Sequence, residues 1–171
     1  RLFKIQKRAP VLLLRIAPKS ISMKQVLFIL ITFTTCFAFG QSMPKQSPEA
    51  TVNQEIGLNE LAISYSRPSA KGRVIFVDLE PYNDVWRLGA NECTKFTCSK
   101  AIMIGDDELP AGTYGMFAIP MKNQWKIIFN SDSEQWGSYD FDPAKNVLTY
   151  TTAVITSAHT ETLSICFENL M

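Results

Sequence analysis

Only one histidine, His159, occurs in the 171 residues. Metal centres built on several histidines cannot form, and a Ser-His-Asp triad would depend on that single side chain. It lies in a Thr/Ser-rich stretch that reads as a solvated loop. A Gly-x-Ser-x-Gly elbow, a glycine-rich phosphate loop and a Cys-x-x-Cys pair are all missing, so no hydrolase or redox motif is in place. Four cysteines are too few for a disulfide framework to carry a chain of this length. Internal repeats and low-complexity tracts are absent too, which sets aside solenoids and propellers.

Acidic residues are missing from positions 1–40, which hold seven basic ones: Arg1, Lys4, Lys7, Arg8, Arg15, Lys19 and Lys24. The formal charge of +1 is therefore a cancellation, because residues 41–171 carry ten basic against sixteen acidic groups, a balance of −6. An acidic domain excludes nucleic acid as a partner, since phosphate binding needs a basic surface that releases counterions. Within the basic part, Met23-Lys24 leads into the apolar run Val26–Phe39 and the small residues Ala38 and Gly40, the pattern of a secretory signal peptide over 23–40. The run is shorter than the ~20 residues that cross a bilayer as a helix, so cleavage after Gly40 is preferred to a retained membrane anchor. Residues 1–22 precede the first methionine, place Arg15 inside an apolar patch and read as an unstructured upstream extension. The expected location is periplasmic, envelope-associated or secreted, with membrane contact only through an uncleaved N-terminal segment. Cleavage would leave Cys93, Cys98 and Cys166, an odd number, all three expected as small buried hydrophobes. Cys93 and Cys98, five apart, fall on opposite faces of a strand and are not expected to bond to each other.

From residue 51 onward the hydrophobic pattern has period two, after a flexible Pro/Ser/Gln-rich lead-in over 41–50. Leu61, Ile63 and Tyr65 alternate with Ala62, Ser64 and Ser66, and Phe96 and Cys98 with Lys95, Thr97 and Ser99. Ile102-Met-Ile-Gly105 runs into Asp106-Asp107-Glu108, a polar turn, and a new segment begins at Leu109-Pro-Ala-Gly112. Further strands are expected at Thr113–Ile119, Trp125–Phe129, Val147–Val154 and Thr162–Phe167. Pro81, Pro110, Pro120 and Pro143 fall between strands, where a missing N–H does no harm. The sum is a single all-β domain over 51–171, an antiparallel β-sandwich or partly open barrel of about eight short strands.

The densest chemistry lies between Tyr65 and Glu92. Four basic groups (Arg67, Lys71, Arg73, Arg87), three rings (Tyr65, Tyr82, Trp86) and the amide-carboxylate pair Asn91-Glu92 could together seat a glycan or a small polar ligand, the rings giving flat apolar faces and the polar groups directional hydrogen bonds. The competing reading is scaffold: Glu92 paired with Arg67 or Arg87, Trp86 plugging one end of the domain, Gly72 and Gly89 permitting positive φ. As an enzyme, the chain would have to act on a glycan or another polar envelope substrate through Glu92, with Asp84 or Asp132 as the second carboxylate. Oxygen ligands cluster at Asn130, Asp132, Glu134, Asp140 and Asp142; Asp132, Asp140 and Asp142 are the weak calcium candidates, without the spacing of an EF-hand. No cofactor is expected.

The ordered run Tyr65-Ser-Arg-Pro, Lys71-Gly-Arg73, Pro81-Tyr82, Val85-Trp-Arg87, Gly89-Ala-Asn-Glu92, Ala111-Gly-Thr-Tyr114, Phe117, Ile119-Pro120, Trp125, Ile128-Phe-Asn130 and Trp136-Gly137 resembles the domain of unknown function family 2911, a group of exported bacterial proteins, over about residues 47–168. The resemblance implies a mostly β, envelope-associated or secreted domain and no established activity. Two departures from the family pattern stand out: Val77-Asp78 where glycine is usual, and Cys93 where a small alanine is usual. The family tends to continue with a further strand beyond Ser164–Glu168, so a truncated C-terminus with an exposed sheet edge, open to self-association, is expected. The preferred function is a non-enzymatic binding or structural module of the envelope.

Overall fold

A computed structural model describes residues 22–24 and 43–168. The upstream extension and the signal peptide lie outside the described residues, apart from Ser22, Met23 and Lys24. Among the described residues, no helix is long and apolar enough to cross a membrane.

The domain is all-β, with eight antiparallel strands in two sheets that do not close into a barrel. The strands are β1 (Glu49–Ile56), β2 (Asn59–Ser66), β3 (Thr94–Cys98), β4 (Ile102–Ile104), β5 (Asp107–Leu109), β6 (Gly112–Pro120), β7 (Gln124–Asn130) and β8 (Asn146–Ala153). Six form one sheet in the order β1-β2-β3-β6-β7-β8, while β4 and β5 form a separate hairpin. The alternation seen in the sequence becomes register: Ile63 lies opposite Phe96, Phe96 opposite Tyr114, Met116 opposite Phe129 and Phe129 opposite Leu148. Because side chains alternate at period two, these residues all face one side of the sheet and form the main core.

A single sheet leaves that face bare, so something must cover it. The cover comes from Trp86, Leu88 and Phe76 of the long β2–β3 connection, Ile102, Ile104 and Leu109 of the hairpin, and Leu163, Ile165 and Phe167 of the C-terminal segment. Full burial of a large apolar side chain is worth about 1.5–3 kcal/mol; Trp86, Leu88 and Leu109 are buried and the other six, partly buried, contribute less. A smaller cluster on the opposite face joins Cys93, Phe117 and Ile128 to Val85, Ile119 and Phe141.

Four expectations need correction. A strand, β1, runs through the end of the expected lead-in; it lies at the sheet edge, pairs residue for residue with β2, and turns through Gly57 at φ 61° and Leu58. Asp107 and Glu108 belong to β5 rather than to a turn, because the two-residue link is Gly105-Asp106, with Gly105 at φ 65°. Pro120 is the last residue of β6 rather than lying between strands: it sits opposite Trp125, and its carbonyl accepts from the Asn83 N–H at 2.9 Å. Thr162–Phe167 is not a strand; it touches the rest of the domain through the single bridge Ser69–Thr162 and otherwise bonds to side chains and loop backbone.

Cys93 and Cys98 are buried, in the two separate clusters, as their spacing suggests. Cys166, by contrast, is exposed, because inward positions of the C-terminal segment are taken by its neighbours Ile165 and Phe167. His159 is exposed, with Glu161 at 3.8 Å.

Candidate functional site

The connection from Arg67 to Cys93 crosses the sheet without forming a regular strand. Among the described residues, all five non-glycine residues with positive φ lie in it: Lys71 (52°), Val77 (90°), Asn83 (70°), Leu88 (54°) and Asn91 (62°). Backbone held in this sparsely populated region needs surrounding contacts to hold it there. Two of these contacts are Trp86, whose N–H and carbonyl bond Ala118 at 2.7 and 2.8 Å, and the side chain of Thr94, which bonds the Leu88 carbonyl at 3.0 Å. Gly89 is present for close approach and not for positive φ, since a β-carbon there would lie 2.8 Å from the Ser66 carbonyl. Gly72 does take positive φ, at 71°.

Between this connection and the C-terminal segment opens a cleft of ≈ 550 Å³. Its apolar part is a trio of rings packed edge to face: Phe76 to Trp125 at 5.2 Å, Trp86 to Trp125 at 5.8 Å, and Phe76 to Trp86 at 5.9 Å between centroids. Its polar part includes Lys71, Arg73, Glu80, Arg87 and Glu161. Arg73 is braced by its own loop, Nε donating to the Ala70 carbonyl at 2.9 Å and Nη2 to that of Ser69 at 2.8 Å. Burial pushes the Glu80 carboxyl above its ordinary range, and the charge of Arg87 pulls only partly the other way. Among the described residues, the Glu80 carboxylate and the indole N–H groups of Trp86 and Trp125 have no hydrogen-bond or ion-pair partner.

Of the nine ligand candidates named from the sequence, the fold gathers Lys71, Arg73, Trp86 and Arg87 in the cleft. Trp86 is 6% exposed, so it also serves as core. The other five do different work. Tyr65 is buried, and its hydroxyl bonds both backbone groups of Ile165. Arg67 Nε donates to the Leu163 carbonyl at 2.9 Å. Tyr82 stacks on Phe76 at 6.0 Å with ring planes 12° apart. Asn91 Nδ2 donates to Ser66 Oγ at 3.1 Å. Glu92 pairs with neither Arg67 nor Arg87; its carboxylate takes Lys45 Nζ at 2.9 and 3.3 Å, and this hydrogen bond lowers its pKa.

Asp132 is engaged in the same way, by Lys145 at 2.8 Å, and Asp84 is exposed; neither lines the cleft, nor does Glu92. Asp142 caps the short 3-10 turn Pro143–Lys145 by accepting from the Ala144 N–H at 2.9 Å, and Asp140 is exposed. No three acidic, His or Cys side chains among the described residues are grouped to hold a metal ion.

Sequence reasoning missed Glu80, Phe76 and Trp125 as parts of this site. Trp125 belongs to β7, far along the chain from the Tyr65–Glu92 constellation, so only the sheet order brings it there. Glu80, one of sixteen carboxylates, carries a single local signal, its place directly before Pro81-Tyr82.

Fold and cleft together define an all-β domain with a ring-lined, charged cleft. The chain belongs to the family described as "Protein of unknown function (DUF2911)", which matches residues 47–171. No curated protein and no solved structure matches it.

Proposed function

We propose that this chain is an exported, non-catalytic binding module of the cell envelope, whose small polar ligand sits in the cleft between the β2–β3 connection and the C-terminal segment. The observation that carries this reading is the cleft itself, where three rings meet a half-buried carboxylate without a partner and two arginines. A carboxylate kept partly out of water with no partner costs stability, and such a cost is characteristic of a binding site waiting for a donor. Export rests on the basic, apolar and small-residue pattern of residues 23–40. The carboxylates named for a hydrolytic pair, Glu92, Asp84 and Asp132, stand outside the cleft, which leaves binding as the reading the geometry favours.

A thermal-shift panel of saccharides, organic acids and amino acids on the purified chain tests the reading. A ligand that binds only the folded state raises the melting temperature, by about 2.7 kcal/mol of added stability at one hundred times Kd. At least one class should do so, and the rise should vanish when Trp125 is replaced by Ala. A panel that leaves the melting temperature unmoved overturns it. N-terminal sequencing of the product recovered from cells tests export; a start at Gln41 is expected, and a start with the apolar run intact defeats it.

A further inference from the structure

We infer that the ligand of this cleft is an acidic saccharide, a pyranose unit bearing a carboxylate; the inference rests on the binding reading above and narrows it. Charge gives the first reason. The lining holds three cations, Lys71, Arg73 and Arg87, against the carboxylates Glu80 and Glu161, within a region whose overall balance is −6. Glu161 is already committed, with Oε1 accepting from the Lys71 N–H at 2.8 Å and Oε2 facing His159. Arg73 is held in place by two backbone carbonyls through Nε and Nη2, and the rest of its fork is available to a carboxylate. A guanidinium fixed before binding loses little entropy when it binds, which favours a charged acceptor at that position.

Glu80 gives the second reason. An ionised carboxylate only accepts hydrogen bonds, so its ligand must bring donors. Arg87 acts on it electrostatically but forms no ion pair with it, which leaves its oxygens open. Sugar hydroxyls supply such donors, and the ligand's own carboxylate then answers the arginines. The rings give the third reason. Phe76 and Trp125 are half-buried beside Trp86, and their apolar surface suits the C–H face of a pyranose. A neutral sugar would satisfy Glu80 and bring no acceptor charge to the two arginines, whose bonds are to backbone carbonyls alone, Arg87 Nε to that of Gly89 at 3.4 Å. A zwitterionic amino acid would satisfy Glu80 and one arginine only. The volume of ≈ 550 Å³ lies within the range of sites for small ligands.

Tryptophan fluorescence and calorimetric titration of the full chain decide the matter. The probes are trimers of galacturonate, glucuronate and mannuronate, each beside its methyl-esterified form, with leucine as the zwitterion. At least one uronate should bind at least tenfold more tightly than its ester, with an advantage that shrinks as salt rises. Glu80→Gln and Arg87→Gln should each weaken that binding at least tenfold while the circular dichroism spectrum stays unchanged, and Glu92→Gln should leave it as it was. Esters that bind as well as the acids, or leucine binding in place of every uronate, overturn the acidic-saccharide inference and leave a cleft that binds small molecules. Silence from every probe here, together with an unmoved thermal-shift panel, overturns both readings.

Discussion

The Tyr65 hydroxyl holds Ile165 by both of its backbone groups, accepting from the N–H at 2.9 Å and donating to the carbonyl at 3.3 Å. The two residues are 100 positions apart, and the contact fastens the C-terminal segment over the open face of the sheet. Arg67 to Leu163, Ala70 to Glu161 and Leu163 to Pro68 complete the fastening. The wall of the cleft formed by residues 157–164 is therefore positioned by side chains that the sequence presents as ligand groups.

Tyr65→Phe should cost about 1–3 kcal/mol, since it keeps the ring and strands two part-buried backbone groups. Denaturant unfolding measures the loss, and hydrogen exchange of residues 161–167 should speed up more than that of β6 and β7. Equal acceleration everywhere would show that the hydroxyl does not act on this segment in particular.

Glu80→Gln should stabilise the protein at neutral pH. With its folded-state pKa raised by burial, Glu80 binds its proton more tightly when folded than when unfolded. Stability from this group is thus greatest below the ordinary carboxylate range and falls as pH rises through the elevated folded value. The wild type and Glu80→Gln should have similar melting temperatures in acid, with the variant pulling ahead toward pH 7. A variant less stable than wild type at pH 7 would mean that the carboxylate makes a favourable contact in the free protein.

Val77 stands at φ 90° with 63% of its surface exposed. A β-branched residue is strained there and has little packing to lose. Val77→Gly should raise stability by about 1 kcal/mol, the relief of strain outweighing the added freedom of the unfolded chain. Chemical denaturation at fixed pH reads this directly, and a loss of stability would place the strain elsewhere.

Thiol labelling followed by mass spectrometry should find Cys166 modified first. Burial raises the pKa of Cys93 and Cys98 and keeps both from reagent, whereas Cys166 is exposed and is raised chiefly by its hydrogen bond to Glu168. Cys93 and Cys98 should react only on the timescale of unfolding, and early labelling of either would contradict the burial described.

The central sheet was legible in the sequence because strong period-two alternation coincides with burial on one face. Thr113–Ile119, Trp125–Phe129 and Val147–Val154 each fall within a residue of β6, β7 and β8 at either end. β1 escaped because an edge strand with few buried positions shows weak alternation, and its turn, Gly57-Leu58, lacks the usual Asn-Gly signature. In the C-terminal segment the alternation was real, since Leu163, Ile165 and Phe167 do pack inward, but its hydrogen bonds go to Tyr65, Arg67, Pro68 and Ser69, with the lone Ser69–Thr162 bridge in place of a ladder. The site was half legible for a related reason. A concentration of arginines and rings marks a region where polar groups must be satisfied, and only three-dimensional contacts separate Arg67, which bonds the Leu163 carbonyl and does not line the cleft, from Arg87, which lines it while its Nε bonds the Gly89 carbonyl at 3.4 Å.

The fastening at Ile165 also sets an order of events for a chain threaded from its N-terminus. The six-stranded sheet can be complete once Ala153 has emerged, yet its apolar face still lacks the cover brought by Leu163, Ile165 and Phe167. Contacts spanning so much sequence form late and slow folding. Until residue 167 arrives, the domain carries a sticky surface beside the edge strands β1 and β8.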